Sequence, residues 1–202
     1  MEKDTIIIVE GPQGAGKTTF TNYLREKMSA TDLYRLQGIK DKTKSALEKS
    51  QKRYRNLLEY MKNSANINML FDRTFFSEEI YSRLGYKEYS FTDTYNELLQ
   101  KLDSLEYDIY LIILYLEDTE EYGTRLQREK HQYQKFEVQN SINQQNEYLK
   151  LADETESHTN NIKVIRFNNT GNQNFEEEIT KQLGHLFIWT IHCTKNVLMI
   201  SG

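Results

Sequence analysis

A doubly wound α/β fold, with a mostly parallel sheet and helices on both faces, is what this sequence predicts. Three observations carry that expectation. Short apolar strands alternate with longer helical patterns along the chain. The run "TIIIVE" at 5–10 is nearly all β-branched, as in a strand buried on both faces. A glycine-rich turn at 11–18 then leads straight into a helical pattern. The 202 residues suit one such domain.

Taken in order, the first strand is 5–10 and its helix runs from Lys17 to about Met28, turning Phe20, Tyr23 and Leu24 inward. A weaker strand is expected at 33–39. A basic helix follows at 43–62, with Leu47, Tyr54, Leu57, Leu58 and Met61 as its apolar set. "INMLFD" (67–72) is the third strand, "FFSEEIYSRL" opens a helix, and 92–105 is helical. "DIYLIILYLE" (108–117) is the strongest strand, and Asp118 with Glu121 forms a D-x-x-E capping pair for the next helix. A helix at 138–152, a fifth strand at 162–167 and a last helix at 174–187 complete the pattern.

Composition narrows the function classes. The formal net charge is −4, from 26 basic and 30 acidic residues, and gives no global reason to expect nucleic acid or an anionic membrane as partner. Phosphate binding must come from local clusters. Cys193 is the single cysteine, so no internal disulfide forms, and no Cys/His grouping has zinc-ligand spacing; a reduced, cytoplasmic setting fits. The start "MEKD" lacks the pattern of a signal peptide, and no run reaches the roughly 18 apolar residues of a membrane span. One domain over 1–186 is the economical reading. The tail at 187–202 alternates apolar and polar positions, is interrupted by Lys195 and Asn196, and carries His192 and Cys193, read as structural.

The stretch "VEGPQGAGKTT" holds the pattern G-x-x-x-x-G-K-T. Gly11, Gly14 and Gly16 free the backbone so that successive N–H groups converge on phosphate oxygens, and the helix start adds partial positive charge. Pro12, Gln13, Ala15 and Thr19 complete the cradle. Lys17 can reach the β and γ phosphates, and Thr18 can place its hydroxyl on Mg²⁺, so ATP and Mg²⁺ are the expected cofactors. A switch GTPase would carry an N-K-x-D reader, which is absent. A motor ATPase would end an apolar strand in an acidic pair, as "IILYLED" does at Glu117 and Asp118, although Asp118 also serves as a helix cap.

Asp72 and Arg73, in "LFDRTFFSEEIY", fall at the carboxyl end of a central strand, where ligands bind in open parallel sheets. Here the chain resembles thymidylate kinase and its relatives among the nucleoside monophosphate kinases and deoxynucleoside kinases. The likeness rests on "VEGPQGAGKTT" and on "DRTFFSEEIY", which matches D-R-Y-x-x-S-x-x-A-Y at Asp72, Arg73, Ser77 and Tyr81, departing at Thr74 and Ile80. It implies a P-loop fold in three layers, with five parallel strands in the order 2-3-1-4-5 and a helical lid at about 122–137. It also implies phosphoryl transfer to a small-molecule nucleotide, most simply dTMP, and pairing into a homodimer.

In that scheme Lys17 and Mg²⁺ serve the donor, with Thr18 and Asp72 on the metal side. Arg73 holds the acceptor's phosphate, and Asp72 orients Arg73 or reaches the metal through water. Arg125 and Arg128 close as lid arginines, which matters because no variable loop position is basic. Arg53 contacts the base, while Ser77 and Tyr81 line the acceptor site. Glu10 belongs to both catalytic and substrate-binding readings: in a deoxynucleoside kinase it would act as base on a 5′-hydroxyl. Asn168 and Thr170 either touch adenine or serve the turn. A nucleotide-dependent switch or ATPase stays open as the alternative of another class.

Overall fold

The computed structural model describes residues 4–28, 30–64, 67–128, 138–171 and 176–184. The tail at 187–202 and lid residues 129–137 lie outside them, as does the side chain of Arg128. The strands are β1 (Thr5–Glu10), β2 (Thr31–Arg35), β3 (Asn68–Asp72), β4 (Asp108–Tyr115) and β5 (Ile162–Asn168). Helices are α1 (Lys17–Lys27), α2 (Ala46–Asn63), α3 (Phe75–Arg83), α4 (Thr92–Asp103), α5 (Glu121–Arg128) and α6 (Val138–His158), with residues 176–184 forming α7. All strand pairings are parallel and the order is β2-β3-β1-β4-β5, as expected from the resemblance.

Strand periodicity sorts the core into two layers. Ile6, Ile8, Met69, Phe71, Ile109, Leu111 and Ile113 face helices α2, α3, α4 and α6. Their alternates Ile7, Val9, Leu70, Tyr110, Ile112 and Leu114 face Phe20 and Leu24 of α1 and Ile179 and Leu183 of α7. Both faces of β1 are therefore covered, which is why its sequence runs apolar without alternation.

Several boundaries differ from the sequence reading, each for a local reason. The second strand is 31–35 rather than 33–39. Arg35 pairs in register with Asp72, and β3 ends there, so the chain beyond has no strand to join apart from one bond, Leu36 N–H to Asp72 O. Likewise β4 stops at Tyr115, opposite the end of β5 at Asn168. The next N–H groups turn to side chains: Leu116 to Gln145, and Glu117 to Asn168 and Thr170. Helix α6 continues past 152 because Thr155 extends its buried face. Only half of the capping pair forms. Asp118 accepts the N–H of Glu120 at 3.0 Å, while Glu121 turns its carboxylate to Arg125 and to the N–H of Gly171.

Candidate functional site

The strand register builds the site. Val9 lies beside Asp72 at the carboxyl ends of β1 and β3, so the turn after β1 and the Asp72–Arg73 pair meet at one edge of the sheet. Gly11 (φ 142) is required at its place because a Cβ there would collide with the carbonyl oxygen of Leu114. Gly16 (φ 89) sits where a Cβ would come 2.5 Å from Asn169 Nδ2. The turn 11–16 thus wraps against β4 and the loop after β5 before α1 begins at Lys17, with Gln13, Thr18 and Thr19 on its more open side.

Lys17 is buried and donates from Nζ to the carbonyl of Pro12 at 2.7 Å. Thr18 donates from Oγ1 to Asp72 Oδ2 at 3.3 Å, and Arg35 Nε lies 3.9 Å from the same oxygen. Asp72 therefore faces the phosphate-loop helix; of its two expected roles, orienting Arg73 or reaching the metal, the first has no Asp72–Arg73 bond among the described residues. Arg35, half exposed at the end of β2 and also bonded to Asn22, was missed by the sequence reading; its strand-end register is the signal that places it.

Arg73 takes a left-handed backbone (φ 73), and its N–H donates to Val9 O. Its guanidinium donates to the Tyr81 hydroxyl at 2.6 Å, and no carboxylate pairs with it among the described residues. Burial pulls its pKa down, but Tyr81, Tyr148 and Glu10 outweigh that and hold it above its ordinary value. The guanidinium is a fixed cation with a phenol for company.

Glu10 is fully buried. Its carboxylate accepts the N–H of Thr74 at 2.6 Å and the Thr74 hydroxyl at 3.2 Å on one oxygen; on the other it accepts Ser77 Oγ at 2.6 Å and the Tyr148 hydroxyl at 3.3 Å. Burial pushes its pKa above 4.5, against the lowering effects of Ser77, Thr74, Arg73 and Lys17. The carboxylate caps the start of α3, where the helix N-terminus favours negative charge. Ser77 is accordingly spent on Glu10 and Tyr148, not turned to an acceptor, which departs from its expected role. Tyr148, whose own pKa burial drives well above 10, was not foreseen because it comes from α6, 138 residues away in the chain.

On the acceptor side, Arg53 donates from Nη1 to Gln37 O at 2.7 Å, and the neighbouring Gly38 faces Tyr81, where a Cβ would stand 3.8 Å from the ring. Arg53, Tyr81 and Arg73 thus line one side of the sheet edge. Arg125 pairs with Glu121 at 2.7 Å and donates to Asn169 O at 2.5 Å, with its Nη1 3.6 Å from a Cβ built at Gly16. Asn169 in turn donates to Ala15 O at 2.7 Å, so α5 and the β5 loop clasp the phosphate loop together. Asn168 and Thr170 serve the turn: Asn168 Oδ1 accepts from Thr170 N–H and Thr170 Oγ1 accepts from Glu117 and Asp118.

Among the described residues no grouping of three or more His, Cys, Asp and Glu could hold a metal ion by itself, and no helix is long and apolar enough to cross a membrane.

No protein-family model and no curated protein sequence matches this chain. Solved structures do. A deoxyadenosine kinase from M. mycoides, carrying dCMP and a flexible dCDP as products, is similar over 90% of this chain and 98% of its own, with 16% identity and a TM-score of 0.61. A thymidylate kinase from Candida albicans is similar over 96% of this chain and 93% of its own, with 16% identity and a TM-score of 0.55. At that identity the likeness establishes the fold alone, five parallel strands between helical layers.

Proposed function

We propose, from that fold and from the residues at the strand ends, that this protein transfers the γ-phosphoryl group of ATP to the phosphate of a deoxynucleoside monophosphate, with dTMP the leading acceptor. One observation carries the choice of a phosphate acceptor. The Arg73 guanidinium stands at the strand ends with a phenol and no carboxylate as its side-chain partner among the described residues. A cation fixed there is suited to receive an anion.

Phosphoryl transfer asks chiefly for position and for positive charge around the moving group. The N–H groups of residues 13–18 cradle the donor's phosphates, and Lys17 exchanges the Pro12 carbonyl for the phosphate oxygens. Arg73 aligns an oxygen of the acceptor phosphate for in-line attack on the γ phosphorus, and the bond from that phosphorus to the β–γ bridging oxygen breaks to leave ADP. Arg125, already drawn towards Gly16, adds charge on the donor side; Arg128 is assigned the same duty by its spacing. Thr18 Oγ1 and Asp72 Oδ2, 3.3 Å apart, are the hard oxygen pair that fits Mg²⁺, directly or through water. That ion would supply charge neutralisation across the β and γ oxygens. Arg53 and Tyr81 would meet the nucleoside, a reading supported by the Arg53 bond to Gln37 O and the Arg73 bond to Tyr81, and the setting we propose is cytoplasmic.

The second reading is a nucleoside kinase with Glu10 as base on a 5′-hydroxyl. In its favour is a raised carboxyl pKa; against it, both Glu10 oxygens already accept two hydrogen bonds each.

The test is ADP release with Mg²⁺ and ATP across deoxynucleosides, their monophosphates and a no-acceptor control. Turnover with a monophosphate is the expected result. Arg73→Ala should then cut kcat/KM for that acceptor by about 10²-fold or more while the ATP KM stays within about threefold. Turnover with free nucleosides alone would establish the second reading, and equal turnover without acceptor would make the protein an ATPase.

A further inference from the structure

Lys87 lies outside every motif above, and it is buried. Its Nζ donates to the carbonyl of Ile39 at 2.7 Å and of Asp41 at 3.3 Å, and pairs with Glu78 Oε1 at 3.0 Å. The Tyr89 hydroxyl donates to that same Glu78 oxygen, and Glu88 N–H reaches Lys42 O at 2.8 Å. One short segment after α3 therefore grips residues 39–42 of the connection between β2 and α2. That connection has no helix or strand of its own, and it supplies Gln37 O to Arg53 and places Gly38 against Tyr81.

We infer that Lys87 is a positioning residue for the acceptor: it clamps the 36–45 loop over the Tyr81–Arg73 pair and so sets the shape of the acceptor side. The inference rests on the proposed phosphotransfer for its functional half. A buried ammonium is an unusual choice for tying down a surface loop, since it must be desolvated and needs its own anion. Glu78, rooted in α3 three residues before Tyr81, provides that anion from the helix that carries the acceptor residues. Loop and helix are thereby held as one body, with Lys87 Nζ bonded to Ile39 O, Asp41 O and Glu78.

Two readouts test this together. Lys40, Lys42 and Lys44 are exposed on the loop, so trypsin reports its opening directly. In Lys87→Met, cleavage after these lysines should rise about tenfold, and the dTMP KM about tenfold, with the ATP KM within about twofold. Glu78→Gln keeps the two carbonyl contacts and should show the same pattern at about threefold, which decides the matter if Lys87→Met does not fold. Unchanged cleavage, or faster cleavage with an unchanged dTMP KM, would overturn the assignment. If the wild-type chain turns over no acceptor at all, the proposed function fails. Trypsin alone then decides the clamp: cleavage after Lys40, Lys42 and Lys44 about tenfold faster in Lys87→Met supports it, and unchanged cleavage overturns it.

Discussion

Glu10 illustrates how much a single residue's role depends on company the sequence does not announce. The residue before the loop glycine was visible at once, and so was its carboxylate. That Thr74, Ser77 and Tyr148 would surround it was not, because these come from the start of α3 and the middle of α6. The burial of Glu10 has a pH signature. Its folded pKa is raised above 4.5. Below that value the group is protonated both folded and unfolded, so it costs nothing. As pH rises from 4.5 towards the raised folded value, the folded chain holds a proton that the unfolded chain has released, so the group destabilises the fold increasingly until the cost levels off above the folded value. Glu10→Gln should therefore gain stability over wild type as pH climbs from 4 to 8, read as a widening Tm difference. A constant difference would mean that the folded and unfolded carboxyls titrate alike. Lys17 and Thr18, by contrast, belong to a pattern legible by type and spacing, since a phosphate cradle fixes its residues within one turn, whereas Arg73 stood out by its place at a strand end.

At the scale of elements, strands were the most readable feature and their ends the least. A strand stops when its neighbour stops, as Arg35 does opposite Asp72, and a single sequence carries no record of its neighbour. The same blindness hid the clasp formed by Asn169, Arg125 and the phosphate loop, three segments far apart in the chain. Asn169 is its centre. Asn169→Ala leaves the Ala15 carbonyl without this donor and should lower stability by about 1–3 kcal/mol, measured by urea unfolding. Because the loop loses its brace, the ATP KM should rise several-fold while the acceptor KM holds. Equal shifts in both constants would show the clasp to be general scaffolding.

For the whole molecule, alternation of elements predicted the doubly wound class, and the resemblance supplied the strand order that the structure shows. The two-layer core follows from β-branched runs on central strands, which must be covered on both faces. A molecule built this way should respond to its donor as a unit. At an ATP concentration about 100 times Kd, with Mg²⁺, binding should add about 2.7 kcal/mol and raise Tm by roughly 5–10 °C. Lys17→Ala should remove most of that rise without lowering the Tm of the free protein by a comparable amount. A full rise in the variant would place the nucleotide somewhere other than the loop.

The left-handed turn at Arg73 has a bearing on how this chain can change over generations. An L-residue with a Cβ pays about 1–2 kcal/mol to stay there, and glycine pays no such steric penalty. Arg73→Gly should thus unfold at higher urea than Arg73→Ala by about 1 kcal/mol, although both lack the guanidinium. Every arginine codon is a single nucleotide change from a glycine codon. Relaxed selection therefore has a downhill path: if the proposed function holds, a sturdier chain that binds its nucleotide and transfers nothing.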